Sequence, residues 1–179
     1  MNYLSVLLNS IFQKDMNVGF HSEIKNDYDS RWLLKEDTLK ASFYFHLRNK
    51  LGHIFDLYNI RIFTEFTGAD FKGSRPDMVI TMRNDRNDTT EYLAVIEFKY
   101  KSGFAPVNDI YNDFVKLKSY VNELNISCRL YMVTIWEYQD NSPIHWERKN
   151  AAYAKGKLVE LNASYNENYE MIFYPSYVH

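Results

Sequence analysis

Eight residues near the middle of the chain, Leu93-Ala94-Val95-Ile96-Glu97-Phe98-Lys99-Tyr100, place the tightest limit on what it can fold into. Apart from one acid and one base they are β-branched, aromatic or otherwise apolar, and the run 92–100 reads as a strand. Neighbours on a strand alternate faces, so Ala94, Ile96, Phe98 and Tyr100 take one face while Val95, Glu97 and Lys99 take the other. Glu97 and Lys99 then stand side by side, about 6–7 Å apart at two residue rises. A carboxylate and an ammonium on such a strand are costly unless they are paired or engaged by a metal. Any fold for this chain has to supply those partners.

Helical spacing runs through residues 1–15, where Leu4, Leu7, Leu8, Ile11 and Phe12 form one broad apolar face. The polar stretch 15–30 reads as a loop. A second helix is expected from near Ser30 to just before Gly52, with Leu39, Phe43, Leu47 and Leu51 as its stripe. Residues 60–67, 77–82 and 92–100 read as three successive strands, separated by the turn segments 68–75 and 83–90. Residues 108–125 return to helical spacing through Ile110, Phe114, Leu117, Val121 and Leu124, and 128–138 form a fourth strand. Ser142-Pro143 opens a short helix that Gly156 stops. Strands 158–163 and 169–174 close the chain around an Asn166-Glu167-Asn168 turn. From residue 31 to 138 the order is helix, three strands, helix, strand, which is an α/β or α+β domain with a mixed sheet.

At 179 residues the chain suits one domain, 1–179, able to bury a core without disulfides or a structural metal. The single Cys128 excludes an internal disulfide framework and a cysteine-built zinc site. Net charge is 21 − 23 = −2, so no global field gathers polyanions, although a local basic groove stays open. The 15 Tyr, 12 Phe and 3 Trp are read as core packing and biased base composition in the source genome, ahead of a nucleobase-stacking surface. The first residues lack a basic n-region and a small-residue cleavage site, and no stretch approaches the ~18 apolar residues of a membrane span. The expectation is a soluble, cytoplasmic protein.

The second strand opens with Pro76-Asp77, and Asp77 stands 97 − 77 = 20 residues before Glu97, a gap that one hairpin fills. If those strands pair, Asp77 lies across from Glu97. Two carboxylates aimed at one spot repel, and a hard divalent cation relieves the repulsion. Glu36 precedes Leu39, Phe43 and Leu47 by three, seven and eleven residues, which puts it on the inward stripe of its helix, with Asp37 facing outward.

The run Glu36, Pro76-Asp77 and Glu97-Phe98-Lys99, followed by a helix and a strand, resembles the PD-(D/E)xK nuclease superfamily, whose core has the same order of elements. The resemblance covers residues 31–138, with 1–30 and 139–179 as decorations. It implies a restriction-endonuclease-like αβββαβ core, its mixed central sheet flanked by helices, plus an N-terminal helix and a C-terminal helix and β-hairpin. It implies a magnesium- or manganese-dependent endonuclease, with DNA as the substrate because most of the superfamily cuts it, and a product carrying a 5′ phosphate. Asp77, Glu97 and the backbone carbonyl of Phe98 would hold the metal. Lys99 would orient or deprotonate the attacking water, and Glu36 matches the helix acid that many members place beside the metal. The competing reading of the same residues makes Glu97 and Lys99 a surface pair on an edge strand and Asp77 a turn residue.

Glu65 is either an extra acid facing the same site or a solvated sheet residue. Lys72 and Arg75, in the loop before Asp77, and Lys101, just past Lys99, are candidate phosphate contacts. Lys116 shares a helix side with Asp109 and Asp113, so a local ion pair competes with a role at the scissile phosphate. His46 and His53 are separated by the expected helix stop at Gly52, and His21, His145 and His179 have no partners at metal-ligand spacing. No G-x-x-x-x-G-K loop is present, so no nucleotide cofactor is expected. Two other classes remain open: a non-catalytic module on the same fold that binds nucleic acid or a protein partner, and an interaction protein with an accidental motif. Residues 1–15 are a candidate homodimer helix.

Overall fold

The computed structural model describes residues 3–84, 88–102, 108–124, 127–139, 152–154 and 156–179. The chain begins with α1 (Tyr3–Gly19), which runs through one π-helical turn (Phe20–Ile24) into α2 (Lys25–Asp29). The polar stretch 15–30 is therefore helix rather than loop. Leu8, Phe12, Met16, Phe20 and Ile24 recur every fourth residue and are all buried, so tertiary packing holds the segment as helix. Leu8 and Phe12 of the expected face lie in the chain's own core and Leu4 and Ile11 pack partly against it, while Leu7 stays exposed.

Helix α3 (Glu36–Leu57) passes straight through Gly52, where a Cβ would meet nothing within 4 Å. A glycine weakens a helix interior by about 1 kcal/mol but does not end it. Buried Leu39, Phe43, Leu47, Leu51 and Phe55 form its inner stripe. Strands β1 (Ile60–Thr64), β2 (Met78–Asn84) and β3 (Thr89–Ser102) follow as an antiparallel meander. Then come α4 (Asn108–Ser119), β4 (Arg129–Gln139), β5 (Leu158–Tyr165), β6 (Met171–Phe173) and β7 (Tyr177–Val178). The helix expected from Ser142-Pro143 lies outside the described residues, apart from a 3₁₀ turn at Ala152–Ala154.

The sheet order is β1-β2-β3-β4-β5-β6, with β7 also on β5. β3, β4 and β5 are parallel and the remaining pairs antiparallel, so the sheet is mixed as expected. Parallel β3 and β4 need a crossover, and α4 supplies it. One face, with Ala94, Ile96, Phe98, Val133 and Leu161, packs on α1 and α3. The other, with Val79, Val95, Leu130 and Met132, is covered by Ile110, Phe114 and Leu117 of α4 and by Phe71. Each such side chain contributes roughly 1.5–3 kcal/mol of burial. The alternation expected along β3 is the one observed, and Glu97 and Lys99 lie on the α4 side. Past Ile96 only β4 flanks β3, but Glu97 is 1% exposed and Lys99 lies under α4, so the reading of the two as a surface pair fails. Among the described residues no helix is long and apolar enough to cross a membrane.

Candidate active site

The β2–β3 register pairs Met78 with Ile96, so Asp77, one step earlier, stands opposite Glu97. Pro76 precedes the strand, where its missing N–H costs the ladder nothing. Asp77 Oδ2 accepts the Phe98 backbone N–H at 2.8 Å. A strand residue's N–H and C=O point the same way, which turns the Phe98 carbonyl toward the Asp77 side as well. The Phe98 ring faces the other way, buried edge-on against Phe43 at 5.2 Å.

Glu97 is 1% exposed. Burial first, and then the carboxylates of Asp77 and Asp113, push its pKa up to about 8 against the opposing pull of Lys116. Lys116 Nζ lies 2.8 Å from Glu97 Oε1, an ion pair at a buried carboxylate oxygen. The Lys116 ammonium also donates to the Arg75 carbonyl at 2.7 Å. The local pairing of Lys116 with Asp109 and Asp113 is thus replaced by a tertiary one. Those two acids serve the strand beneath α4 instead: Asp113 Oδ2 is 2.7 Å from Lys99 Nζ, and Asp109 Oδ2 is 2.8 Å from Lys101 Nζ.

Lys99 also reaches Glu36 Oε2 at 3.1 Å. Burial disfavours its charge, but the hydrogen bonds and charges of Asp113 and Glu36 outweigh burial and hold its pKa above the usual lysine value. Glu36 therefore enters the site through Lys99, and it is Lys40, one turn along α3, that reaches Asp77. Lys40 Nζ donates to Asp77 Oδ1 at 2.9 Å and to Glu65 Oε1 at 2.5 Å. Its pKa is raised because those two hydrogen bonds overcome burial.

Glu65 adopts a left-handed φ of 53°, ending β1 and turning the chain toward the loop that carries Arg75. Its carboxylate lies 3.2 Å from Arg75 Nε, so Glu65 is an exposed acid that bridges Lys40 and Arg75. Lys72, also left-handed with φ 49°, pairs with Glu123 at 2.6 Å and with neither acid of the pair.

Lys40 and Asp113 are the two site residues that sequence reasoning passed over. The signal for Lys40 was its i, i+4 spacing from Glu36. Nothing local marked Asp113 as Lys99's partner. Histidines stand apart from the site: His46 Nε2 is 2.9 Å from Asp27, and the buried His179 is 2.7 Å from Glu160.

Among the described residues no three His, Cys, Asp or Glu side chains converge as a metal-binding group. Two do approach across the strands, Asp77 and Glu97, and the inward Phe98 carbonyl adds a third oxygen. Magnesium is commonly held by one or two carboxylates while keeping several waters. A buried carboxylate beside a second carboxylate, its Oε1 met by the Lys116 ammonium at 2.8 Å, is the donor chemistry such an ion takes. Comparison with protein-family models, with curated proteins and with solved structures gave no match.

Proposed function

We propose that the chain is a metal-dependent nuclease of the PD-(D/E)xK type that hydrolyses phosphodiester bonds in nucleic acid, with DNA the foremost substrate. The observation that carries this reading is the acid pair: Asp77 opposite a Glu97 buried to 1% exposure, with Lys99 two residues on along the same face. The element order of α3, β1, β2, β3, α4 and β4 supports it. Asp77, Glu97 and the Phe98 carbonyl would hold magnesium or manganese. When bound there, the ion supplies Lewis-acid stabilisation and lowers the pKa of a bound water.

The chain's own groups prepare the site in distinct ways. Glu97 gives up its proton near pH 8, so the fully ionised acid pair belongs to neutral and alkaline conditions. Lys99, kept protonated by Asp113 and Glu36, suits orienting and neutralising a phosphate oxygen and does not suit removing a proton. Lys116 and Lys40 balance the acids from either side and would be displaced or would turn to the phosphate as substrate enters. Arg75, exposed at the rim, offers a backbone contact to the substrate.

One observation favours a second reading, a non-catalytic module that binds nucleic acid or a protein partner. Each carboxylate of the pair already has an ammonium beside it, Lys40 at Asp77 and Lys116 at Glu97, so the charges balance within the chain. The test is cleavage of supercoiled plasmid, linear duplex, single-stranded DNA, branched DNA and RNA with magnesium, manganese or EDTA. Metal-dependent cutting by wild type that disappears in Asp77→Ala and in Lys99→Ala supports the nuclease. Binding without cutting of any substrate supports the module.

A further inference from the structure

Among the described residues strand β1 ends the sheet on its side and pairs only with β2, whereas the opposite edge of β5 is covered by both β6 and β7. At one end of β1 the Arg83 N–H donates to the Asn59 carbonyl at 3.2 Å, and at the other the Glu65 N–H donates to the Asp77 carbonyl at 2.9 Å. A trans peptide points its C=O and the following N–H in opposite directions, so the Ile60 N–H and the Thr64 C=O face away from β2. Alternation along the strand then turns both backbone groups of Ile60, Ile62 and Thr64 outward. None of these groups has a partner among the described residues.

Sheets commonly blunt such an edge with lysine, proline, a bulge or a covering segment. β1 is five residues long with one charged side chain, Arg61; it contains no lysine or proline, and its register with β2 has no bulge. Beside it runs an open groove of about 630 Å³ lined in part by Ala41 and Tyr44 of α3 and by Ile62 and Phe63 of β1. The acids bordering this groove are internally balanced, Asp37 by Lys35 at 3.2 Å and Glu65 by Lys40 and Arg75. Arg61 is exposed and has no carboxylate partner among the described residues, and Phe63 is 40% exposed.

We propose that β1 is a homodimer interface, in which the β1 strands of two copies of this chain pair antiparallel about a two-fold axis at Ile62. That register satisfies every outward backbone group: Ile62 meets its own counterpart, and Ile60 meets Thr64 of the second copy. It also sets Arg61 opposite Phe63 of the second copy, twice over. A guanidinium without a carboxylate lies against an exposed aromatic ring, a favourable contact. Of the two diagonals of Arg61, one meets Arg61 of the second copy and the other Glu65, already held by Lys40 and Arg75, so the aromatic contact carries the complementarity. One strand thus carries both halves of the complementarity at the spacing a two-fold requires, which selects a second copy over an unrelated peptide. The proposal is independent of the nuclease reading.

The test combines sedimentation with directed cross-linking. Arg61 and Phe63 of the second copy form a non-hydrogen-bonded pair, with Cα atoms about 4.5 Å apart, inside the range a disulfide spans. Cys128 is the only native cysteine and is buried, so it contributes no background. Mixing R61C protein with F63C protein under mild oxidation is expected to give a covalent dimer on a non-reducing gel. Wild type is expected to sediment as a dimer at micromolar concentrations. Thr64→Pro removes an N–H that β2 does not use, and should weaken association at least tenfold with unchanged circular dichroism. A wild type that stays monomeric throughout, or an R61C/F63C mixture that forms no cross-link, overturns the proposal.

Discussion

Glu97→Gln removes a buried acid that faces a second carboxylate, and its effect on stability depends on pH in a direction that can be worked out. In the unfolded chain the Glu97 carboxyl titrates near 4.5; in the fold, burial first and Asp77 second push it up to about 8. Between those values the folded chain holds a proton that the unfolded chain has released. Stability is therefore full below pH 4.5, declines as pH rises, and the whole contribution is lost above pH 8. At about 1.4 kcal/mol for each tenfold change in proton affinity, the window bounds the loss at about 5 kcal/mol. The value of about 8 already carries the pull of Lys116 at 2.8 Å, so the expected loss between pH 5 and pH 9 is about 4 kcal/mol. The assay is urea unfolding of wild type and Glu97→Gln in EDTA across that range, because other groups titrate in both proteins and cancel in the difference. Glutamine should gain on wild type from pH 5 to about pH 8 and level off above it. A difference that stays flat with pH would refute the buried, raised carboxyl.

Three further outcomes follow from the same geometry. Lys116→Met leaves Glu97 without its cation, so it should cost about 3–5 kcal/mol at pH 9 and much less at pH 5, where the carboxyl is protonated; urea unfolding at the two values reads it. Lys40→Met removes the ammonium that bridges Asp77 and Glu65 and should cost about 1–3 kcal/mol in thermal or urea unfolding, a penalty that salt or manganese partly restores. Cys128, whose pKa burial raises to about 12, should stay unreactive toward a thiol reagent at pH 8 until the chain is unfolded by urea.

Much of the frame of this site was readable from residue order alone, because strand alternation is a rigid constraint. The run around Glu97 allowed only one assignment of faces, and the hairpin length between Asp77 and Glu97 allowed the two to meet. Less was readable where partners come from distant elements. Lys116 was read against Asp109 and Asp113, its neighbours on α4, but strand β3 beneath that helix offers Lys99 and Lys101 to those acids and Glu97 to Lys116. Helix ends misled for a similar reason. The stripe Met16, Phe20 and Ile24 continues the first helix, but polar residues between them mimic a loop until the sheet is there to bury one face. Gly52 resembles a stop only if nothing beyond it packs, and Phe55 does.

The site's central claim is that Asp77 and Glu97 together form a divalent-cation site. A manganese titration followed by electron paramagnetic resonance at pH 8.5 tests it most directly, on wild type, Asp77→Asn and Lys72→Ala, the last being a lysine paired elsewhere. The account predicts manganese bound by wild type and by Lys72→Ala, with the signal of bound ion lost in Asp77→Asn. No binding by wild type, or equal binding by all three proteins, would contradict it.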